Sequence, residues 1–405
     1  MNRDIYRIRE DFAILNDEVA YLDNAATTQK PAPVMAAVRR YYETQNANPF
    51  RGVYSLSEQA TAEYERARAC AAAFIGAKDN EIIFTRNASE SLNLVAYSYG
   101  MNNLKPGDEI AVSIMEHHSN FLPWRMVAQK TGAVLKCLKC EPDGTFSDTA
   151  IAEAITDKTK LLAITCVSNV FGRVNPVRKL ADMVHANGGI VVCDGAQSVP
   201  HMPTSVSELG ADLLAFSGHK MLAPMGIGVL WGRYELLNSM EPFMQGGEMI
   251  ETVHWDRVRY AEVPHKFEAG TVNVGGAVGL MAAIEYINSL GFDFIMAQER
   301  ALTEHTLKGM KSINGVNVIG AEDAQHHEGI IAFTVDGVHP HDVSSIMNEA
   351  GVCIRAGHHC AQPLMDHLGV RSSSRVSFAF YNTVSEADRF LNRLDTIRSL
   401  MGYGR

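Results

Sequence analysis

The stretch Ile190-Val191-Val192-Cys193-Asp194-Gly195-Ala196-Gln197 decides the fold of this chain. A short apolar run of β-branched residues, bounded by glycine, is typical of a buried strand. Here the run ends directly in an acidic residue, and a glutamine follows three positions later. Ligands of α/β sheets bind beyond the carboxyl ends of the strands, so the stretch predicts both a strand and a functional site.

The regions around this stretch alternate between short apolar runs and longer segments with helical periodicity. Strands are predicted at residues 81–84, 109–112, 161–167, 190–193, 213–216 and 227–231. Helices are predicted between several of them, at residues 31–45, 58–75, 89–99 and 177–186. This alternation indicates an α/β fold with a mainly parallel sheet between layers of helices.

The C-terminal part of the chain has a different pattern, which predicts a second domain. A charged amphipathic helix at about residues 292–313 precedes strands near residues 330–335 and 352–355, and a final helix covers about residues 385–401. We therefore predict a large domain of residues 1–290 and a smaller α+β domain of residues 291–405. The N-terminal segment is expected to be able to pack on the smaller domain.

The composition argues against nucleic acid and membranes as binding partners. The 405 residues carry a formal net charge of −10, whereas binding to nucleic acid or to an anionic membrane surface needs a cationic face. No window reaches the run of roughly 18 apolar residues that a membrane span needs, and the polar start Met1-Asn2-Arg3-Asp4 does not resemble a signal peptide. Seven scattered cysteines fit a reducing compartment. We expect a soluble, cytoplasmic protein.

An acid and a lysine at the ends of two predicted strands point to a cofactor site. Asp194 ends one strand, and Ser217-Gly218-His219-Lys220 ends the next. Pyridoxal 5'-phosphate needs a carboxylate that keeps its ring nitrogen protonated and a lysine amine that bonds to its aldehyde. Ser217 and His219 can hold the phosphate. The alternative is that Asp194 caps a turn and Lys220 is solvated, but two such motifs, each after a strand, favour the cofactor site.

Two more segments after predicted strands are placed to contact such a cofactor. Asn87-Ala88-Ser89-Glu90 has the spacing of a helix N-terminus, whose N–H groups suit a phosphate; the alternative is a plain helix cap. Residues 113–120 include His117 and His118, one of which can lie flat against the cofactor ring. Paired histidines also suggest a metal, but no third and fourth ligand stands at metal-site spacing. We expect no metal site.

One cysteine and one arginine in the C-terminal part are candidates for chemistry. Cys360 ends Arg355-Ala356-Gly357-His358-His359-Cys360, a loop whose imidazoles and guanidinium favour the nucleophilic thiolate; the alternative is an incidental surface cysteine. Arg375 enters an apolar strand, where it suits a substrate carboxylate or, alternatively, a structural ion pair. The other thiols are expected to be ordinary or core residues: Cys137 and Cys140 of a lone C-x-x-C, Cys70, Cys166 and Cys193.

Together these motifs resemble one family, the class II (SufS-like) cysteine desulfurases, which are fold-type I pyridoxal-phosphate enzymes. The similar stretches run in family order over nearly the whole chain: Tyr21-Leu22-Asp23-Asn24-Ala25-Ala26, Glu116-His117-His118-Ser119-Asn120, Val167-Ser168-Asn169, Asp194-Gly195-Ala196-Gln197, Ser217-Gly218-His219-Lys220, Phe267-Glu268-Ala269-Gly270-Thr271, Arg355-Ala356-Gly357-His358-His359-Cys360 and Tyr381-Asn382-Thr383. Phe50, Arg173 and residues 221–225 depart from the family pattern without removing a catalytic group.

The resemblance implies a role for each matching residue. The implied catalytic residues are Lys220, Cys360 and His117. The implied cofactor-binding residues are Lys220, Asp194, Gln197, Ser217, His219, His117, Ser89, Ala88 and Thr271. The implied substrate-binding residues are Asn169, Arg375, Arg355 and Ala25. The family further implies a homodimer, in which Thr271 reaches the cofactor phosphate of a second subunit.

The resemblance also implies a reaction. L-Cysteine would become L-alanine, and its sulfur would pass, as a persulfide on Cys360, to an acceptor protein (SufE- or SufU-like) for iron–sulfur cluster assembly. Selenocysteine lyase activity is the nearest alternative, because sulfur and selenium substrates share such a site. An aminotransferase or decarboxylase of this fold would gain little from Cys360. A non-catalytic scaffold that binds the cofactor would not need Asp194, Lys220 and Cys360 together.

Overall fold

The computed structural model describes residues 4–403, so Met1-Asn2-Arg3 of the predicted polar start lie outside the described residues. In chain order the strands are β1 (Ala20–Tyr21), β2 (Ile82–Thr85), β3 (Glu109–Ser113), β4 (Val134–Leu138), β5 (Thr159–Thr165), β6 (Ile190–Asp194), β7 (Leu213–Ser217), β8 (Gly228–Gly232), β9 (Ile250–Val253), β10 (Val258–Tyr260), β11 (Val316–Ile319), β12 (Ile330–Val335), β13 (Val352–Cys353), β14 (Arg355–Gly357) and β15 (Ser373–Ser377). The α-helices are α1 (Ile5–Arg9), α2 (Ala32–Thr44), α3 (Ser55–Ile75), α4 (Ala88–Val95), α5 (Met101–Asn103), α6 (Leu122–Thr131), α7 (Asp148–Ala154), α8 (Val177–Ala186), α9 (Val206–Leu209), α10 (Tyr234–Ser239), α11 (Val274–Leu290), α12 (Phe292–Lys311), α13 (Pro340–Glu349), α14 (Gln362–His367) and α15 (Val384–Leu400).

The main sheet has the order β2-β8-β7-β6-β5-β3-β4 among the described residues. The five strands β3, β4, β5, β6 and β7 all run parallel to one another, whereas β8 runs antiparallel to its two neighbours, β2 and β7. Helices α2, α3, α8 and α11 pack on one face, and α4 and α6 pack on the other. Because both faces are covered, β7 and most of β6 are fully buried apolar runs. The predicted mainly parallel α/β sheet is confirmed.

Each predicted strand of this sheet is present, with ends shifted by one or two residues. The predicted helix at residues 89–99 is present, but its final part is not α-helical. The chain leaves the α-helical pattern after Val95 and forms a π-helical turn, Ala96–Gly100. This turn widens the hydrogen-bonding ring locally, a change that apolar periodicity alone does not indicate.

The C-terminal part forms a second sheet, with the antiparallel order β11-β12-β15-β14 over the described range. Helices α12, α13 and α15 share its apolar core. The strand predicted at residues 352–355 is wrong as a single element, because β13 pairs with β1 whereas β14 pairs with β15. The division at residue 290 stays a prediction, supported by the separate sheets and by the break between α11 and α12.

The N-terminal segment lies against the C-terminal part of the chain. Ala20 of β1 pairs in parallel with Val352 of β13, and Ala20 and Leu22 lie in the same apolar core as the second sheet. No single helix of residues 4–403 is long and apolar enough to cross a membrane. Helices α11 and α12 reach that length and apolar composition only as a pair, and they are bent by 78° where they meet.

Candidate active site

A cavity of about 220 Å³ lies at the carboxyl edge of the main sheet, between it and the second sheet. It brings together most of the residues that the sequence predicted: Ala25, Ala88, Ser89, His117, Asn169, Asp194, Ser217, His219, Lys220, Arg355, Cys360 and Arg375. The strands explain this convergence. Asp194 and Ser217 are the last residues of the adjacent strands β6 and β7, whereas Arg355 and Arg375 come from β14 and β15.

Lys220 lies in a short 3₁₀ turn directly after β7, which turns its side chain into the cavity. Burial lowers the pKa of Lys220 from 10.5 to about 8, because a buried ammonium has lost hydration; Arg375 adds to the effect, and Asp194 opposes it. The lowered pKa makes a neutral amine available near neutral pH. Such an amine can attack a carbonyl.

Asp194 is buried, and it ends β6 at the same edge. Its Oδ1 accepts a hydrogen bond from the Ala196 N–H at 2.9 Å, and its Oδ2 has no partner within residues 4–403. Burial raises the pKa of Asp194, while Lys220 and the Ala196 N–H act in the opposite direction. A cationic partner at Oδ2 would therefore stabilise the ionised form.

The start of α4 lines the cavity and is the candidate site for an anion. The Asn87 side chain caps the helix by accepting from the Glu90 N–H at 3.0 Å, and the Ala88 N–H donates to Ser217 Oγ at 2.9 Å. Gly228 of β8 packs directly against this turn, and a Cβ atom on residue 228 would lie only 2.5 Å from Asn87 Cα. Helix N–H groups beside hydroxyl groups bind phosphates well.

The two candidate histidines are neutral. Burial, followed by Lys220, lowers the pKa of His117 to about 3 and that of His219 to about 4. His117 Nδ1 accepts from the Ser119 N–H at 3.1 Å, so the ring proton lies on Nε2. His219 Nδ1 lies 3.2 Å from Thr27 Oγ1. Both rings can stack or donate a hydrogen bond, but neither supplies positive charge.

The Cys360 loop is held in an unusual backbone conformation. His359 and Cys360 have φ angles of 53° and 55°, which non-glycine residues adopt only at a cost. The His118 N–H donates to Cys360 O at 2.7 Å, Asn169 Nδ2 donates to His359 O at 2.7 Å, and His359 Nε2 lies 2.9 Å from Ser373 Oγ. These contacts place Cys360 in the cavity.

The predicted influence of imidazoles on Cys360 is wrong for His359. Burial and the nearby guanidiniums lower the pKa of His359 to about 2, so its ring is neutral. Positive charge near Cys360 comes instead from Arg355 and Arg375, which line the same cavity. Guanidinium groups keep their charge at any physiological pH.

Arg355 and Arg375 lie directly opposite each other in the β14–β15 ladder. Arg375 is almost fully buried; its Nη1 donates to Asn169 O at 3.0 Å, and its Nη2 donates to Asp23 Oδ1 at 3.1 Å. Arg355 Nη1 is 3.9 Å from Asp23 Oδ2. The predicted alternative of an ion pair is therefore present, but one carboxylate faces two guanidiniums. The remaining positive charge suits an anionic group of a substrate.

Two predicted residues do not line the cavity. Gln197 is buried beside it; its Nε2 donates to Ala25 O at 2.8 Å, and its Oε1 has no partner among the described residues. Thr271 is exposed on the surface of its own chain. Its implied contact with a second subunit stays a prediction.

Sequence reasoning from the motifs missed several residues that shape the site. Asn87, Ser119 and His359 line the cavity. Lys30 donates to His219 O at 3.0 Å and to Thr28 O, which fixes the backbone next to Lys220. Asn87, Ser119 and His359 could have been assigned to the site, because they lie within the motifs quoted above. Lys30 lies outside every motif, and the sequence around it does not indicate its contact with His219.

The departures from the family pattern lie outside the cavity lining. The Phe50 ring packs edge-on against Tyr64. Arg173 Nη1 donates to Asp143 O at 3.2 Å, which ties two loops together. Within residues 221–225, Met221 is buried in the core and Met225 is exposed. We expect these changes to affect packing rather than chemistry.

The fold and the site define a class. A mainly parallel sheet with an acid and a desolvated lysine at its carboxyl edge, beside an anion pocket at a helix N-terminus, is the arrangement of fold-type I pyridoxal-phosphate enzymes. The chain belongs to the aminotransferase class-V family, whose sequence model matches residues 20–390.

Named relatives make this assignment more specific. A curated protein from Streptomyces coelicolor, named probable cysteine desulfurase, is 47% identical over 410 residues, with 98% of both chains covered. A cysteine desulfurase from Haloferax volcanii is 41% identical, covering 98% of this chain and 97% of its own. The apo structure of the cysteine desulfurase from Thermococcus onnurineus NA1 matches with a TM-score of 0.94 and 41% identity over 98% of both chains. Escherichia coli cysteine desulfurase CsdA matches with a TM-score of 0.91 and 37% identity over 99% of this chain and all of its own. The predicted resemblance to cysteine desulfurases and the predicted fold class are confirmed.

Proposed function

We propose that this protein is a pyridoxal-phosphate-dependent cysteine desulfurase, which converts L-cysteine to L-alanine and takes up the sulfur on Cys360. The observation that carries the proposal is that Cys360, Lys220 and Asp194 line one cavity. A lysine and an acid serve many reactions of this cofactor, whereas a cysteine facing the same space adds a nucleophile for sulfur. The relatives of this name, similar over their full length, support the same activity.

The residues of the cavity fit pyridoxal 5'-phosphate. Gln197 Oε1, beside the cavity, is a buried acceptor without a partner in the described part of the chain, and a buried acceptor of this kind needs a donor. Asp194 lines the cavity itself and can pair there with a protonated ring nitrogen. The N-terminus of α4 and the Ser217 hydroxyl offer a place for the phosphate. The bound cofactor supplies an electron sink for negative charge that develops at the substrate α-carbon.

Lys220 has two tasks in this proposal. Its amine would hold the cofactor through the aldehyde, and the free amine would take the proton from the α-carbon of the substrate. Both tasks need a neutral amine, which the low pKa of about 8 provides. His117, as a neutral ring, can pack against the cofactor without competing for this proton.

The lowered pKa of Lys220 predicts how fast the cofactor-free protein takes up pyridoxal 5'-phosphate. Below pH 8 the ammonium form dominates and cannot attack the aldehyde, so the uptake rate should rise with pH, reach half its maximum near pH 8 and level off above it. Stopped-flow absorbance after mixing measures this rate. A midpoint above pH 10, as for a solvated lysine, would contradict the desolvated site.

Arg375 should matter for binding of the substrate carboxylate. We expect Arg375→Lys to raise KM for cysteine by roughly 10- to 100-fold with a smaller change in kcat, because lysine keeps the charge but not the planar fork. Steady-state kinetics would measure both constants. Arg371→Lys, at an exposed position before the same strand, is the control and should leave KM unchanged. An unchanged KM in Arg375→Lys would favour a purely structural ion pair with Asp23.

Cys360 performs the sulfur transfer. Its thiolate attacks the substrate sulfur, and the new S–S bond forms as the bond between that sulfur and Cβ breaks. The electron pair of the broken bond stays with Cβ, which takes up a proton to become the methyl group of alanine, and a proton returns from Lys220 to the α-carbon. Cys360 is left as a persulfide, and a thiol of an acceptor can then remove the outer sulfur.

The finer features of the family belong to this proposal. We propose a class II, SufS-like enzyme that acts as a homodimer, with Thr271 contributing to the site of a second subunit. Its exposed side chain leaves it available for such a contact. The acceptor would be a SufE- or SufU-like protein that serves iron–sulfur cluster assembly. We propose a cytoplasmic location, which the free cysteines of the described residues support.

A cysteine-dependent alanine assay on cofactor-supplemented protein tests the function. We expect alanine and, with dithiothreitol present, an equal amount of sulfide. A keto acid in place of alanine would point to an aminotransferase, and bound cofactor without any product would point to a scaffold. The ratio of turnover on selenocysteine and cysteine separates the desulfurase from a selenocysteine lyase.

A further inference from the structure

Two cysteines outside the active site lie in direct contact. Cys166 follows β5 immediately and Cys193 is the penultimate residue of β6, and their Sγ atoms are 2.7 Å apart. Both are buried in the apolar core on one face of the main sheet. The sequence predicts core positions for both thiols, and the structure adds their contact.

We propose that Cys166 and Cys193 form a dithiol that a peroxide oxidises to a disulfide. The sulfur atoms are already closer than two unbonded thiols normally approach, and the strands that carry them are neighbours in parallel register. A disulfide requires its two cysteines to lie close together, with side chains directed toward each other. Formation of the bond therefore needs little movement of the sheet.

A separate cavity gives access to this pair. It has a volume of about 420 Å³, Cys166 is part of its lining, and no residue that lines it also lines the Lys220 cavity. Cys193 does not line this cavity, so Cys166 is the thiol that meets the oxidant first.

The oxidation balances with hydrogen peroxide as the oxidant. The Cys166 sulfur attacks one peroxide oxygen, the O–O bond breaks, and Cys166 becomes a sulfenic acid as water leaves. The Cys193 sulfur then attacks the Cys166 sulfur, the S–O bond breaks, and a second water leaves with the disulfide. Two thiols are oxidised while one peroxide is reduced to two waters.

The bond would lie next to the acid of the active site without entering its cavity. Cys193 directly precedes Asp194, and the Cys166 N–H donates to Asp194 O at 2.8 Å. The disulfide would tie together the two strand ends that hold this residue. Its formation does not depend on whether the Lys220 cavity binds a cofactor or turns over cysteine.

Peptide mapping of the holoenzyme tests the proposal. The folded protein would be treated with hydrogen peroxide, denatured in the presence of iodoacetamide, digested and analysed by mass spectrometry. We expect a cross-linked peptide that contains Cys166 and Cys193, about 2 Da lighter than its two reduced parts and separated by dithiothreitol. Recovery of both residues as alkylated thiols, at a peroxide dose that oxidises Cys360, would overturn the proposal.

Two variants sharpen the assignment. Cys193→Ala should abolish the cross-link and leave Cys166 to accumulate sulfinic acid, because no resolving thiol remains. Cys70→Ala, at a partly buried cysteine outside the pair, is the control and should keep the cross-link. Loss of the cross-link in the control, or its persistence in Cys193→Ala, would also overturn the proposal. If Cys193→Ala does not fold, the peptide map of the wild-type protein still tests whether the cross-link forms.

Discussion

Replacement of Cys360 by serine is expected to lower alanine formation from cysteine by about 10³-fold or more, while the cofactor stays bound. The reason is the nucleophile: the sulfur of cysteine attacks a sulfur atom far more readily than the oxygen of a serine hydroxyl does. The substitution changes one atom in a half-exposed position, so the loop should keep its contacts with His118 and Asn169. Alanine production and the absorbance of the bound cofactor would be measured on the same samples.

Cys353→Ser is the matched control for this prediction. Cys353 lies on β13 in the same part of the chain, is also half-buried, and does not line the cavity. Its replacement should leave alanine formation within about twofold, since surface-proximal changes away from a site have small effects. Normal turnover in Cys360→Ser would remove Cys360 from the sulfur transfer.

Replacement of Lys220 by alanine should have the larger effect, a loss of alanine formation of about 10⁴-fold or more. The variant lacks both the amine that holds the cofactor and the base that removes the α-proton. We also expect the cofactor to separate from the variant during gel filtration, because only non-covalent contacts remain. Alanine formation and cofactor retained per chain measure the two consequences independently.

Lys266→Met provides a matched control for a lysine in the protein interior. Lys266 is buried and donates to Asn238 O at 2.9 Å, outside the cavity. Its replacement should leave cofactor retention unchanged even if it costs some stability. If Lys220→Ala kept the cofactor and full turnover, another amine would have to perform both tasks.

Much of the fold could be predicted because local pattern and tertiary structure agree. The apolar run that ends in Asp194 and the run that ends in Ser217 form adjacent parallel strands, as the alternation with helices indicates. Sequence pattern was less informative at residues 352–355, where the chain changes its pairing partner from β1 to β15. The pairing of β13 with β1 joins residues more than 300 positions apart, such as Ala20 and Val352, and periodicity carries no information about such a contact.

The site was partly predictable for the same reason. Lys220 and Asp194 follow strands of one sheet, so their meeting could be expected from topology. Cys360 lies in the loop that follows β14 of the other sheet, and only the family resemblance linked it to Lys220. The sharing of Asp23 between two guanidiniums, and the neutral state of His359, follow from burial in the folded chain.

Reduction with borohydride, followed by mass spectrometry, tests the central claim most directly. Protein incubated with pyridoxal 5'-phosphate would be reduced, digested and mapped for the mass of the cofactor on lysine side chains. One modified peptide is expected, with the adduct on Lys220. An unmodified Lys220, with the protein colourless before reduction or the adduct on other lysines, would contradict it.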